Sequence, residues 1–423
     1  MEFKNLQIIE PILKAIEFAG HTKPTPIQIE AIPSILDNKD LLASAQTGTG
    51  KTAAFAIPIL QQIYNKNIIK PSKAIKALVL TPTRELATQV GEDFYRYSKY
   101  LKIRSLVIFG GVPQVKQTQA LNRGTTVLIA TPGRLMDLMN QGYIKLNEIE
   151  YFVLDEADQM LDMGFIHDVR KIVKAIPNNR QSLLFSATMP DSIIKLAREL
   201  LKDPIRIEVT PTHQTLDIIK QKVYHVNKRE KTDLLIKLIK ENKIESLLVF
   251  TRTKHLANRL VTALGDKGFK SEAIHGNKSQ SARERALDNF KKGKTKILVA
   301  TDIAARGIDI DGLSYVINYD LPETPETYLH RIGRTGRAGS SGVAISFCEE
   351  DNLKMLQEIE RHIKTKIEED SLYQYIASDK ILEKNNKSNN NRNLKFNNRN
   401  NSNMKKRTNK NTQRRNNTKN KKI

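Results

Sequence analysis

This sequence predicts an α/β protein of two successive parallel-sheet domains, followed by a disordered basic tail. Two observations carry the first part. Short apolar runs recur along the chain, spaced by stretches long enough for helices, and each ends in hydroxyl, glycine, arginine or acidic residues. Such runs read as parallel strands buried on both faces, and open α/β sheets bind ligands outside the carboxyl ends of their strands. The same alternation starts again in the second half, and 423 residues suffice for two domains with cores of their own. The expected boundaries are 1–208, a linker at 209–219, a second domain at 220–367 and an extension at 368–423. The linker reading rests on Val209 to Ile219, which has Pro211, several polar residues and no clear periodicity.

In the first half, Leu41 to Ser44 is a strand-like run, followed by Ala45 to Thr52 (AQTGTGKT) and the apolar stretch Ala53 to Leu60. This is strand, glycine loop and helix. Gly48 and Gly50 let backbone N–H groups face inward around phosphates at the positive end of the helix. Lys51 would reach the β- and γ-phosphates, and the Thr52 hydroxyl would ligate Mg²⁺. Ala45 stands where the strict pattern has glycine. Ala77 to Leu80 then runs into Thr81-Pro82-Thr83-Arg84-Glu85-Leu86-Ala87, and Thr126 to Ala130 into Thr131-Pro132-Gly133-Arg134. Tyr151 to Leu154 runs into Asp155-Glu156-Ala157-Asp158, where one carboxylate can hold Mg²⁺ and its neighbour orient or deprotonate a water. Alone, Asp155-Glu156 would be an ordinary polar turn; with the glycine loop it reads as half of a nucleotide site. Ser182 to Phe185 runs into Ser186-Ala187-Thr188. Hydroxyls, glycines and arginines at strand ends suit phosphate and sugar and do not read bases.

The second half has strand-like runs at Ser246 to Phe250, Lys296 to Ala300, Tyr315 to Asn318 and Gly342 to Phe347. Two of them end in Thr251-Arg252-Thr253 and Thr301-Asp302. The triplet Gly293-Lys294-Thr295 precedes a strand, so it lacks the helix N-terminus that a phosphate cradle needs. In place of a loop there are two arginine-bearing blocks, Ala304 to Asp309 (AARGID) and His330 to Arg337 (HRIGRTGR). Arginines between glycines suit phosphate oxygens, because the guanidinium is planar and always charged.

Net charge is +23, which points to a polyanionic partner. From Lys384 to Ile423 there are 14 Lys or Arg, 16 Asn and no acid, so the preceding residues keep +9 of the +23. That segment has too little apolar surface to pack and reads as a loose tether for the polyanionic partner, RNA on the resemblance given below, against the plainer reading of a genome-biased extension. Cys348 is the single cysteine, which rules out internal disulfides and fits a reducing cytosol. No apolar run reaches membrane-spanning length, and Glu2 and Glu10 stand where a signal segment would be basic and then apolar. A cytoplasmic location is expected, with no membrane partner.

In this order the blocks resemble the DEAD-box RNA helicase family over residues 3 to about 347, and the first half is similar to its bacterial RhlE-like branch. The resemblance implies two RecA-like domains binding ATP and RNA across their cleft. It makes Gly20 to Gln28 (GHTKPTPIQ) the adenine-reading motif, with Phe3 upstream and His21 where the family usually has an aromatic residue. Ala45, Gln46, Thr47, Gly48, Thr49 and Gly50 would line the phosphates with Lys51. Thr52 and Asp155 would hold Mg²⁺, and Glu156 would position the attacking water. Arg334 is the expected arginine finger with Arg337 beside it, and Asp309 would contact the ribose. Ser186, Thr188, His330 and Arg331 would couple hydrolysis to closure and RNA. The RNA backbone would lie along Arg84, Gly111, Thr131, Gly133, Arg134, Arg252 and Thr301. Closure around ATP would bend one strand and expel the other from a short duplex. A DNA helicase on this scaffold and a non-catalytic RNA clamp or annealing chaperone are the alternatives. By analogy with the branch, ribosomal or mRNA-turnover complexes are its expected surroundings, with a monomeric core.

Overall fold

The computed structural model describes residues 1–45, 48–66, 74–209, 219–305, 310, 312–336 and 342–370. Domain 1 is built on β1 (Leu41–Ser44), β2 (Ala77–Leu80), β3 (Ser105–Ile108), β4 (Val127–Ala130), β5 (Tyr151–Leu154), β6 (Gln181–Ser186) and β7 (Ile205–Glu208). All pairings are parallel, in the order β3-β4-β2-β5-β6-β1-β7. Nine helices accompany this sheet among the described residues. They are α1 (Glu10–Phe18), α2 (Pro26–Leu36), α3 (Lys51–Asn65), α4 (Arg84–Tyr97), α5 (Gln114–Asn122), α6 (Pro132–Asn140), α7 (Ala157–Asp162), α8 (Ile166–Lys174) and α9 (Asp191–Leu200).

Side chains alternate across a strand, so each apolar run feeds two cores. Ala77, Val79, Val127, Ile129, Tyr151 and Val153 pack against α1 to α4. Their neighbours Leu78, Leu80, Leu128, Ala130, Phe152 and Leu154 pack against α6, α7, α8 and α9. This is why the strands read as continuous apolar runs. At the centre of the first core, Phe55 of α3 meets Phe94 and Phe185, with ring centroids 6.1 and 5.2 Å away. Truncating such a ring typically costs about 3–5 kcal/mol.

Domain 2 comprises β8 (Ile219–His225), β9 (Leu247–Phe250), β10 (Ser271–Ile274), β11 (Ile297–Ala300), β12 (Tyr315–Asn318), β13 (Gly342–Cys348) and β14 (Glu368–Glu369). Its order is β10-β11-β9-β12-β13-β8-β14, again parallel, which repeats the order of domain 1 strand for strand. Its helices are α10 (Lys231–Glu241), α11 (Lys254–Gly265), α12 (Gln280–Lys291), α13 (Asp302–Ala305), α14 (Pro325–Ile332) and α15 (Leu353–Ile363). No hydrophobic cluster of the described residues joins the two sheets.

Two expected boundaries shift. Ile219, expected in the linker, opens β8, and Glu368–Glu369, expected in the extension, pair with Lys222 and Val223 as β14. Asp370 extends this edge, accepting from the Lys222 ammonium at 3.1 Å and the Tyr224 hydroxyl at 2.8 Å. Residues 210–218 of the linker and the tail from 371 lie outside the described residues. Gly293-Lys294-Thr295 follows α12 and precedes β11, and the Thr295 hydroxyl donates to Glu272 at 2.8 Å.

Candidate functional site

Gly48 and Gly50, between β1 and α3, have φ of 80° and 89°, the left-handed region that glycine enters without strain. A Cβ on Gly50 would also run into the Gln28 amide. Gln28 Nε2 instead donates to the Gly50 carbonyl at 3.1 Å, while its Oε1 accepts from the Thr25 N–H at 3.0 Å. Thr25 stands at the N-cap position of α2 and Pro26 is its first residue, and Gln28 in the first turn reaches back to cap the Thr25 N–H. The motif expected to read adenine is therefore fastened to the last glycine of the phosphate loop.

Lys51 opens α3, is only 6 % exposed, and its Nζ has no hydrogen-bond partner among the described residues. A buried ammonium in that condition is costly unless an anion meets it, and a helix N-terminus favours the same anion. Asp155 and Glu156 follow β5 and are 2 % and 3 % exposed. Asp155 Oδ1 accepts from the Glu156 N–H at 2.9 Å. Glu156 adopts φ 52° and ψ 53°, a conformation that costs a non-glycine residue about 1–3 kcal/mol and needs surrounding structure to hold it. Burial raises the Asp155 carboxyl, with the Lys51 charge opposing. Burial also pushes Glu156 up to about 7; Lys51 and Arg334 pull it down, while Asp155 and Asp158 add to the rise.

Arg334, just past α14 of domain 2, is 7 % exposed. It lines the same cavity of about 500 Å³ as Phe3, Gln28, Gly48, Gly50, Lys51, Thr52, Asp155 and Glu156 of domain 1. One site thus draws on both domains. His21 shares the cavity, and its Nε2 lies 3.2 Å from the Tyr97 hydroxyl. Ala45 is buried at the end of β1, and Thr49 lies in the turn between Gly48 and Gly50. Gln46, Thr47, Asp309 and Arg337 lie outside the described residues.

Ser186 and Thr188 are wired to the acidic block through Asp158, which sequence reasoning quoted without a role. Asp158 Oδ2 accepts from the N–H groups of Ala187 and Thr188 at 3.1 and 2.9 Å and from the Thr188 hydroxyl at 3.1 Å. Ser186 Oγ accepts from the Asp158 N–H at 3.2 Å and donates to the Thr188 carbonyl at 2.7 Å.

The residues expected to meet RNA stand at the carboxyl ends of β2, β3 and β4 in domain 1 and of β9 and β11 in domain 2, on the other half of each sheet from the nucleotide cavity. Gly111 has φ 76°, and a Cβ there would overlap the Arg84 guanidinium. Thr131 caps α6, with Gly133 in its first turn beside open space. Arg134 bonds Gln117 and the Val112 carbonyl at 3.2 and 3.3 Å, which ties its loop to the one carrying Gly111. The Arg252 N–H donates to Asp320 at 2.9 Å, and the Thr301 N–H to the Ile274 carbonyl at 3.3 Å.

On this side too the domains touch. Glu85 of α4 pairs with Arg283 of α12 at 3.1 Å, with side chains only 8 % and 12 % exposed. Gln280 Nε2 donates to Glu85 at 3.1 Å, and Arg84 Nη1 to Gln280 Oε1 at 3.5 Å. Glu85, Gln280 and Arg283 escaped sequence reasoning. Glu85 sits in a block read for its arginine, and the other two lie on a helix start without a strand-end signal. Arg331 lies inside domain 2, 2 % exposed, with Nε and Nη2 on the Asp302 carboxylate at 2.6 and 2.7 Å. His330 precedes it on α14, partly buried.

Comparison with known proteins decides the family. Residues 25–196 match the DEAD/DEAH box helicase family and residues 230–339 the helicase conserved C-terminal domain. The chain is 45 % identical over 366 residues to the DEAD-box ATP-dependent RNA helicase CshA of Geobacillus kaustophilus, covering 86 % of this chain and 77 % of that protein. The chain belongs to the DEAD-box ATP-dependent RNA helicase family. A relative in Helicobacter pylori, RhpA, is 43 % identical, over 86 % of this chain and 73 % of its own length. Among solved structures, Saccharomyces cerevisiae Dbp5 bound to RNA and ADP–BeF3 superposes with a TM-score of 0.77 at 34 % identity, over 90 % of this chain and 99 % of that one. Mss116 bound to single-stranded RNA and UDP–BeF gives 0.78 at 30 % identity, over 87 % and 79 %. These relatives establish the RNA helicase family, not the RhlE-like branch, and they do not favour a DNA helicase or a passive RNA clamp. ATP-dependent RNA unwinding is the activity of this DEAD-box helicase.

Proposed function

We propose that this RNA-dependent ATPase works by closing its two domains on one another, with ATP in the cavity beside Lys51 and RNA across the strand ends on the other half of each sheet. The single observation that carries the reading is Arg334 of domain 2 in one cavity with Lys51, Asp155 and Glu156 of domain 1. Phe3 and Gln28 would hold adenine, and the loop from Ala45 to Gly50, with Lys51, the phosphates. Thr52 and Asp155 fit Mg²⁺, since hard oxygens from one hydroxyl and one carboxylate leave the remaining positions to phosphate and water. Bound there, the ion would neutralise charge on the phosphates. Glu156 would orient the attacking water and accept its proton, and Arg334, with Arg337, would stabilise charge on the transferred phosphoryl group. Asp309 would contact the ribose. Asp158 would carry the state of this site to Ser186 and Thr188, and the Arg331–Asp302 pair would join Arg334 and His330 to Thr301.

RNA would be held by its backbone along Arg84, Gly111, Thr131, Gly133, Arg134, Arg252 and Thr301, so little sequence would be read. A cytoplasmic setting, a monomeric core and work within ribosomal or mRNA-turnover complexes complete the proposal. Among the described residues no helix is long and apolar enough to cross a membrane. The test is steady-state ATPase with saturating single-stranded RNA or DNA, beside unwinding of a short RNA duplex. RNA should stimulate and DNA should not. Equal stimulation by both would turn the reading to a DNA or general helicase, and none by either would remove it.

A further inference from the structure

We infer that single-stranded RNA leaving the cleft continues along domain 2 in the groove between α11 and α12, where Lys278 and Arg285 take its phosphates. The inference rests on the reading that RNA crosses Arg252 and Thr301. Continuity is its first support. The Thr301 N–H donates to the carbonyl of Ile274, the last residue of β10. The loop that follows carries Lys278, whose N–H donates to the His275 carbonyl at 3.0 Å. Asn277 in that loop accepts from Lys254 Nζ at 3.1 Å, at the start of α11 two residues past Arg252. One short loop therefore leads from both expected RNA contacts into a cavity of about 360 Å³ lined by Asn258, Ser271, Lys278 and Arg285.

Charge is the second support. Burial holds His275 below the usual imidazole range, and the charges of Lys278, Lys254, Arg283 and His255 add to the fall. Glu272, the acid in the cavity wall, accepts from Asn289 and the Thr295 hydroxyl, each at 2.8 Å. Lys278 and Arg285 form no salt bridge among the described residues, and Arg285 is exposed. The groove sets Lys278, Arg285, Asn258 and Ser271 among the small apolar side chains of Val261, Ala273, Ala282 and Ala286, and without an aromatic in its lining it suits a sugar–phosphate backbone and does not stack bases.

The test compares the full-length protein with a Lys278→Ala/Arg285→Ala variant, each with ADP–BeF3, for affinity to oligonucleotides of roughly six and roughly sixteen nucleotides at several salt concentrations. The six-mer should bind both proteins equally. The sixteen-mer should bind the variant about fivefold to tenfold more weakly, with a log–log salt slope flatter by about 1.4, from two contacts at about 0.7 each. The tail is intact in both proteins, so its contribution cancels. Unchanged affinity at both lengths would overturn the inference and leave the groove to a protein partner. Equal losses at both lengths would overturn it too, placing the two residues in the cleft site itself. If the six-mer stimulates ATPase while added length changes nothing, only the groove is lost; if no RNA stimulates, the cleft reading falls with it.

Discussion

Lys51 and Lys231 occupy the same place in the two domains, each the first residue of the helix after the first strand of its sheet, and they meet opposite surroundings. Lys51 follows a glycine loop, and its ammonium has no partner among the described residues. Lys231 follows a stretch without glycine and is met by the Tyr319 carbonyl at 2.8 Å, Asp320 at 3.0 Å and Glu349 at 2.6 Å. Asp320 lies just past β12, the strand that corresponds to β5 and its Asp155. Domain 2 thus meets its lysine with direct partners, whereas Lys51 is opposed only through the charges of Asp155 and Glu156, which on the proposed reading leaves it for a phosphate. A buried lysine at a helix start is not itself a phosphate site; what makes one is the anion the fold leaves out.

Five experiments put the contrast between the domains at risk, beginning with the residue domain 2 would contribute in place of a phosphate loop. Arg334→Ala should lower RNA-stimulated kcat by about 10³–10⁵, the span measured for arginine fingers, while fluorescent-nucleotide affinity changes little. A drop below tenfold would detach domain 2 from the chemistry. Glu156→Gln should lower kcat by about 10²–10⁴ and trap RNA with ATP, because the cradle stays whole while the water loses its acceptor. Near-normal turnover there would give the base role to another group.

The lysine pair supplies the third experiment. Lys231→Met should destabilise domain 2 by about 3–5 kcal/mol, since Asp320 and Glu349 lose their counter-charge, and thermal melting would show it. Lys51→Met should abolish nucleotide binding with a smaller loss of melting temperature than Lys231→Met, because Lys51 has no hydrogen-bonded partner among the described residues and meets Asp155 and Glu156 only through its charge. Equal destabilisation by both would end the contrast. Next, Glu85→Gln should reduce kcat/KM for RNA about tenfold to a hundredfold, and Glu85→Arg/Arg283→Glu should recover part of that loss. Failure of the swap to exceed both single variants would reduce the Glu85–Arg283 contact to a bystander. The smallest effect belongs to the tail. Removing residues 384–423 should leave RNA-saturated ATPase unchanged and weaken RNA binding at low salt, each lost contact flattening the salt slope by about 0.7. Equal slopes would make the tail passive.

Strands with apolar residues on both faces were legible to within a residue: β1, β2, β5 and β12 match the sequence runs end to end. The others were hidden for physical reasons. β3 and β7 lie near or at a sheet edge with partly exposed side chains, β8 mixes lysines and glutamine into its run, and β10 contributes only two apolar residues. Motifs at strand ends, such as Gly48 to Thr52 and Asp155-Glu156, were readable because glycine conformation and acid placement are local. Contacts between domains were not, since Glu85 lies 195 or more residues from Gln280 and Arg283 and these residues find meaning only when the halves meet.

The contacts described between domains, Arg84–Gln280, Glu85–Gln280, Glu85–Arg283 and the reach of Arg334 to Glu156, are all polar, and no apolar cluster of the described residues bridges the cleft. Heat capacity follows apolar surface, so closure should change it little, unlike the folding of either domain. Warming the protein should then barely move the open–closed balance until a core melts. Where two bodies are joined without apolar burial, ligands worth a few kcal/mol of differential affinity can shift the balance between open and closed. A greasy interface would have held the domains shut, and each hydrolysis would have had to tear it open.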